Sequence, residues 1–155
     1  MRGMTVVDRA SKAADARRHA LANLWWAAAA AAILIAAHLL PPDPRGYGTH
    51  RHILPLPCIF RELTGLPCPG CGLTTSFALA ARGLWAESFA AHYLGPAGYV
   101  ATWLVLIWGL LGTFRCVKGP AGYVDRPSVL YVLAAVVIGV WIVRLAVIFG
   151  ALPVR

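Results

Sequence analysis

Charge is scarce in this chain, and acidic charge above all. Six Asp and Glu stand against fourteen Lys and Arg in 155 residues, a formal net charge of +8, and charged residues make up 13% of a sequence that is 59% hydrophobic. Soluble domains are typically about 45–50% apolar and about 25% charged. So little charge can hardly coat a water-facing surface, whereas lipid as solvent removes that demand. Between Asp43 and Asp125 only Glu62 and Glu87 carry carboxylates, and they form no obvious pair, so acid/base hydrolysis by two carboxylates has no basis here. The sequence also lacks His-Glu-x-x-His, Gly-x-Ser-x-Gly and any phosphate-binding glycine loop.

What is present is length without polarity. A helix needs about 20 residues to cross a bilayer core of about 30 Å. Three stretches qualify, at about 21–40, 94–114 and 128–150. The first is alanine-rich and stops at Pro41 and Pro42. The second has Pro96 in its first turn, where a missing N–H costs little. The third is flanked by Pro127 and Pro153. The apolar run of the first exceeds the usual 7–15 residues of a signal-peptide core, so that stretch reads as a retained anchor.

The basic residues indicate direction. Arg2, Arg9, Lys12, Arg17 and Arg18 crowd a 1–20 arm opposed only by Asp8 and Asp15, and Arg115, Lys118 and Arg126 lie between the second and third stretches. Lys and Arg in short flanks mark the cytoplasmic side. The arm and the 115–126 segment are therefore expected in the cytoplasm, with residues 41–92 extracytoplasmic. No aromatic or groove-reading pattern accompanies the arm, so nucleic acid is not its expected partner. Anionic lipid is.

Residues 72–81 are apolar but too short to span. They predict a short helix on the interface or dipping into it, the latter requiring protein or water around its broken backbone.

Three of the four cysteines, Cys58, Cys68 and Cys71, lie within fourteen residues. Pro69 and Gly70 predict a tight turn that brings Cys68 and Cys71 together, with a helix start just beyond. A cysteine at a helix N-terminus has its thiolate stabilised by unpaired N–H groups. Three chemistries fit. Cys68 and Cys71 can form a redox dithiol or disulfide. Cys58, Cys68 and Cys71, with His50 or His52, can supply a tetrahedral zinc site. Or the segment is structural, holding the loop against the membrane. A single Cys-x-x-Cys without a second pair does not choose between them. Cys116, apart from these, reads as a packing residue or a palmitoylation site.

The run from Leu63 through Cys68-Pro69-Gly70-Cys71-Gly72-Leu73-Thr74, with Cys58 before it and Phe77, Arg82, Gly83 and Phe89 after it, resembles the family catalogued as domain of unknown function 2752. The upstream Gly46-Tyr47-Gly48-Thr49-His50 is similar to one subgroup. The resemblance covers roughly residues 45–98. It implies a small bacterial inner-membrane protein with a Cys-Pro-x-Cys-Gly-x-Thr core, and it implies no established activity. Thr75 stands where the family usually has Arg, and His92-Tyr93 where an Asn-Pro pair usually opens the next helix, so no role of those residues transfers.

Among the remaining polar residues, Arg144 lies inside the third stretch and is expected to snorkel to the outer interface. His38 is expected to be interfacial, and His92 to cap or orient the second spanning helix. Gly109 and Gly112, Gly139 and the alanines of the first stretch permit close packing of helices or of copies of the chain.

The expectation is an all-α integral membrane protein: a basic arm at 1–20, then one membrane domain at 21–155 with three spanning helices and, between the first two, a cysteine loop and short interfacial helix at 41–92. Its expected partners are the bilayer and a second copy or another membrane protein. Its expected role is that of an accessory or interaction protein with a structural Cys-Pro-Gly-Cys segment. The alternative is a thiol-redox or metal-dependent membrane enzyme using Cys68 and Cys71, with zinc as the candidate metal, and whether the protein is an enzyme stays open.

Overall fold

The computed structural model describes residues 6–53, 55–115, 119–120 and 127–150. Cys116, Lys118 and Arg126 lie outside the described residues. The described residues form helices and no strand: α1 (Val6–Leu39), a 3₁₀ turn (Thr49–His52), α2 (Ile59–Thr64), α3 (Leu73–Ala80), α4 (Trp85–Ala91), α5 (Gly95–Arg115) and α6 (Pro127–Ile148). Three segments are long and apolar enough to cross a membrane: Ser11–Leu39, Gly95–Phe114 and Pro127–Ile148.

The first helix is longer than its apolar run. From Val6 it continues through the basic arm without a break into the apolar stretch. No Gly or Pro stands between Met4 and Leu40, and alanine, the best helix former, is frequent throughout, so nothing interrupts propagation before Pro41.

α1 and α5 pack antiparallel through small residues. Ala27, Ala30, Leu34 and Ala37 are buried along one face of α1. A Cβ added at Gly109 would lie 3.0 Å from the Asn23 carbonyl oxygen and 3.1 Å from the Ala27 Cβ, so the two backbones approach closely only because α5 carries glycine there. At the other end Leu34, Ala37, Ala80 and Tyr99 form a small core flanked by Phe77, Ala81 and Leu106. His38 sits beside it, its Nδ1 2.9 Å from the Leu34 carbonyl oxygen.

The segment expected to hold one interfacial helix holds three short helices and a 3₁₀ turn. α3, the predicted one, is buried in protein: Thr75, Ser76, Ala78 and Ala80 are all inaccessible, and α3 packs on α1, α4 and α5. α4 folds back on it. The Ser76 hydroxyl donates to the Ser88 carbonyl at 2.6 Å, and the Ser88 hydroxyl donates to the Ser76 carbonyl at 2.8 Å. This reciprocal pair satisfies two buried hydroxyls that would otherwise cost stability. No pattern announces it, since paired serines twelve apart have no helical or strand period.

Arg82, in the α3–α4 turn, closes the end of α1. Its guanidinium donates to the carbonyls of Ala37, His38 and Leu40, at 3.3, 3.3 and 2.9 Å, and to its own helix at Ala78 at 2.7 Å. These are carbonyls a helix terminus leaves without partners, and a cation there complements the macrodipole by roughly 0.3–1 kcal/mol, more where partly buried.

α6 stands apart. No backbone-close packing joins it to another helix among the described residues, and none of its residues is buried. It meets the rest through side chains near its C-terminal end.

Candidate metal centre

Cys58 immediately precedes α2, and Cys68 and Cys71 flank the predicted turn. The turn closes by a hydrogen bond from the Cys71 N–H to the Cys68 carbonyl at 3.0 Å. α2 ends at Gly65, in the left-handed conformation (φ 70) that glycine adopts without strain, and the chain then returns towards its own start. Cys58 therefore meets the Cys68–Cys71 turn. The three sulfurs lie within 4.8 Å of one another, with Cys58 Sγ and Cys71 Sγ 3.8 Å apart. All three cysteines are free thiols.

Gly72 makes this possible from behind. It has φ +89, and a Cβ there would collide with the Ala91 carbonyl oxygen and lie 2.9 Å from that of Gly46. The residue after Cys71 must therefore be glycine on two grounds, backbone sign and space.

The thiols differ electrostatically. Burial, first of all, and then the neighbouring thiols push Cys68 up to about 12. Cys58 is lowered, chiefly by the N–H of Arg61, then by the other two thiols and the Phe60 N–H, and against the desolvation of the site. The sulfur nonetheless makes no regular capping hydrogen bond. Stabilisation by a helix N-terminus thus falls on Cys58, ahead of α2.

A cavity of about 390 Å³ opens beside the three thiols. His50 lines it but stands outside the tight sulfur cluster, and His52 is exposed and outside the lining. Arg45, Arg51 and Arg61 also line it, with Glu62 the one carboxylate. The Arg61 guanidinium lies 3.7 Å from the Tyr47 ring centroid and that of Arg45 lies 5.5 Å from the same ring. Arg45 is tied to Asp43 by bonds of 3.0 and 2.7 Å, which holds the Asp43 carboxyl down at about 2.

Two elements far along the chain brace the cysteine turn. His92 is buried; its Nδ1 accepts from the Leu94 N–H at 3.2 Å ahead of α5, so Nε2 carries the proton and donates to the Pro69 carbonyl at 2.9 Å. It thus caps the approach to α5, as expected, and also holds the turn. The Arg144 guanidinium donates to the Cys71 carbonyl at 2.5 Å and the Ala91 carbonyl at 3.3 Å. The long side chain thus leaves α6 and reaches the backbone of the cysteine segment. The Trp141 indole N–H donates to the Pro67 carbonyl at 2.8 Å, and its ring stands edge-on to Phe60. Nothing in the sequence tied Arg144 or Trp141 to this region, although an arginine inside an apolar run was the available signal.

Three convergent thiols beside a roomy basic cavity can hold a borderline-soft metal ion, exchange thiols among themselves, or simply pack. No curated protein and no solved structure matches the chain. Residues 58–107, from Cys58 through the turn, α3 and α4 and into α5, match the family model described as "Protein of unknown function (DUF2752)", and this segment supports the resemblance to that family.

Proposed function

We propose that this is a multi-pass accessory or interaction protein of the bacterial inner membrane, with its N-terminus cytoplasmic, and that Cys58, Cys68 and Cys71 form a structural zinc centre in its extracytoplasmic loop. One observation carries the metal reading: three sulfurs from two separate pieces of chain converge within 4.8 Å, with a 3.8 Å edge between Cys58 and Cys71. Zinc–sulfur bonds of about 2.3 Å in tetrahedral geometry place their sulfurs about 3.8 Å apart. A disulfide needs about 2.05 Å. A bare Cys68–Cys71 redox pair is less well supported, because the third cysteine has no part in it. A structural role also suits the surroundings. His92, Arg144 and Trp141 fix the turn by its carbonyls, so a metal would knit a region already tied to α5 and α6.

Elemental mass spectrometry with thiol counting on the protein purified in mild detergent tests this. About one zinc per chain is expected, lost in Cys68→Ser/Cys71→Ser, with three thiols protected until a chelator is added. A metal-free protein with one reducible cysteine pair would replace this reading with the thiol-redox one.

A further inference from the structure

We infer that the cavity beside the thiols takes a phosphate-type oxyanion as the exchangeable fourth ligand of the metal, steadied by Arg61; this rests on the metal reading above. Three thiolates leave a tetrahedral ion one position short. His50 lines the cavity but stands outside the sulfur cluster, so no fourth protein ligand joins the three thiols among the described residues, and all three cysteines border the cavity. About 390 Å³ is many times the roughly 30 Å³ a water molecule occupies, so the space admits a ligand larger than solvent.

The lining specifies the sign of that ligand. Three arginines meet one glutamate. They are not equally available. Arg45 is held bidentate by Asp43, and Arg51 lies 3.5 Å from Glu62 with both side chains exposed. Arg61 has no carboxylate within salt-bridge distance among the described residues, and its guanidinium is fixed over Tyr47. Both guanidiniums border the cavity, and an anion there would offset their like charge. A pre-positioned, half-buried guanidinium suits the paired oxygens of a phosphate group. Free phosphate and the headgroup of an anionic phospholipid share this chemistry, and the turn lies at the same end of the molecule as the C-terminal ends of α1 and α6.

Cobalt(II) loaded in place of zinc gives the site a visible spectrum sensitive to its fourth ligand. The protein in uncharged detergent is titrated with inorganic phosphate, then compared in nanodiscs of phosphatidylglycerol and of phosphatidylcholine. The expected result is one cobalt per chain, thiolate-to-metal charge-transfer bands, and a phosphate-dependent shift of the ligand-field bands. In Arg61→Gln that shift should need at least about tenfold more phosphate, and in Arg61→Lys an intermediate amount, with cobalt stoichiometry unchanged in both. A shift in phosphatidylglycerol discs alone assigns the ligand to lipid; a shift in detergent with free phosphate assigns it to the soluble ion. A cobalt spectrum indifferent to both anions, or one changed by His50→Ala before any anion is added, overturns the inference and leaves the metal centre standing. An undiminished response in Arg61→Gln removes Arg61 from the site. Failure to bind cobalt brings down the inference together with the metal reading.

Discussion

His92 carries one charge state on which the cysteine turn depends. Burial lowers its pKa from the ordinary 6.5, the Pro69 carbonyl opposes that, and Arg144 adds to it. The folded protein therefore favours neutral imidazole, the form whose Nδ1 can accept from Leu94. With a folded pKa below the unfolded one, the unfolded chain takes up the proton first on acidification. The resulting stability is fully present above about pH 6.5 and is lost as pH falls from there through the folded value. Unfolding in mixed micelles should show wild-type stability dropping below pH 6.5 more steeply than that of His92→Gln; parallel curves would remove His92 as the cause. At the same scale Gly95 has no alternative, since any Cβ there would collide with the Ser76 side chain that closes the α3–α4 pair. The sequence pointed to His92 but not to Gly95. It did not show what each would touch.

Among the elements, α6 is attached by few bonds, each identifiable. Its side chains reach the cysteine segment through Trp141 and Arg144 while its backbone stays clear of α1 to α5. Arg144→Gln shortens the reach and removes the charge. With hydrogen bonds to charged groups contributing about 1.5–3 kcal/mol, a loss of roughly 1–3 kcal/mol is expected in reversible unfolding by SDS titration. Trp141→Phe should cost about 1 kcal/mol by removing one neutral hydrogen bond while keeping the ring beside Phe60. If Arg144→Gln unfolds at the wild-type midpoint, α6 is held by something other than these bonds. The contrast with α1 and α5 is one of side-chain size. Glycine and alanine let those two backbones meet, whereas Gly139 of α6 has no atom of the protein within 4 Å of the position its Cβ would take. Of the small residues read from the sequence as packing candidates, those of α1 and α5 join each other, and Gly139 is left facing outward.

For the whole molecule, the helices run so that the end of α1, the start of α5 and the end of α6 all reach the cysteine segment. Arg82 binds the last carbonyls of α1, His92 precedes α5, and Arg144 sits in the last turns of α6. The orientation proposed above, drawn from the distribution of Lys and Arg, makes this cysteine side extracytoplasmic. A phosphatase reporter fused after Arg45 should be active, and one fused after Lys118 inactive. The reverse pattern would place the thiols in the reducing cytoplasm and invert the orientation, though not the geometry of the cysteine cluster.

The sequence by itself determined the parts that depend on short-range pattern. Apolar length marked the three long helices. Pro69 and Gly70 marked the turn, and the threonines and serine beyond it marked the start of α3. Proline marked where α1 stops. These follow from hydropathy and backbone preference, which act over one or a few turns. Tertiary structure alone decided that Cys58 joins Cys68 and Cys71 while His50 stays at the cavity wall, that α3 is buried against a second short helix, and that Arg82 and Arg144 bind backbone carbonyls. Those contacts join residues 12 to 73 positions apart. No periodicity encodes such a separation; it is set by the path of the folded chain and by the need of each buried carbonyl and hydroxyl for a partner.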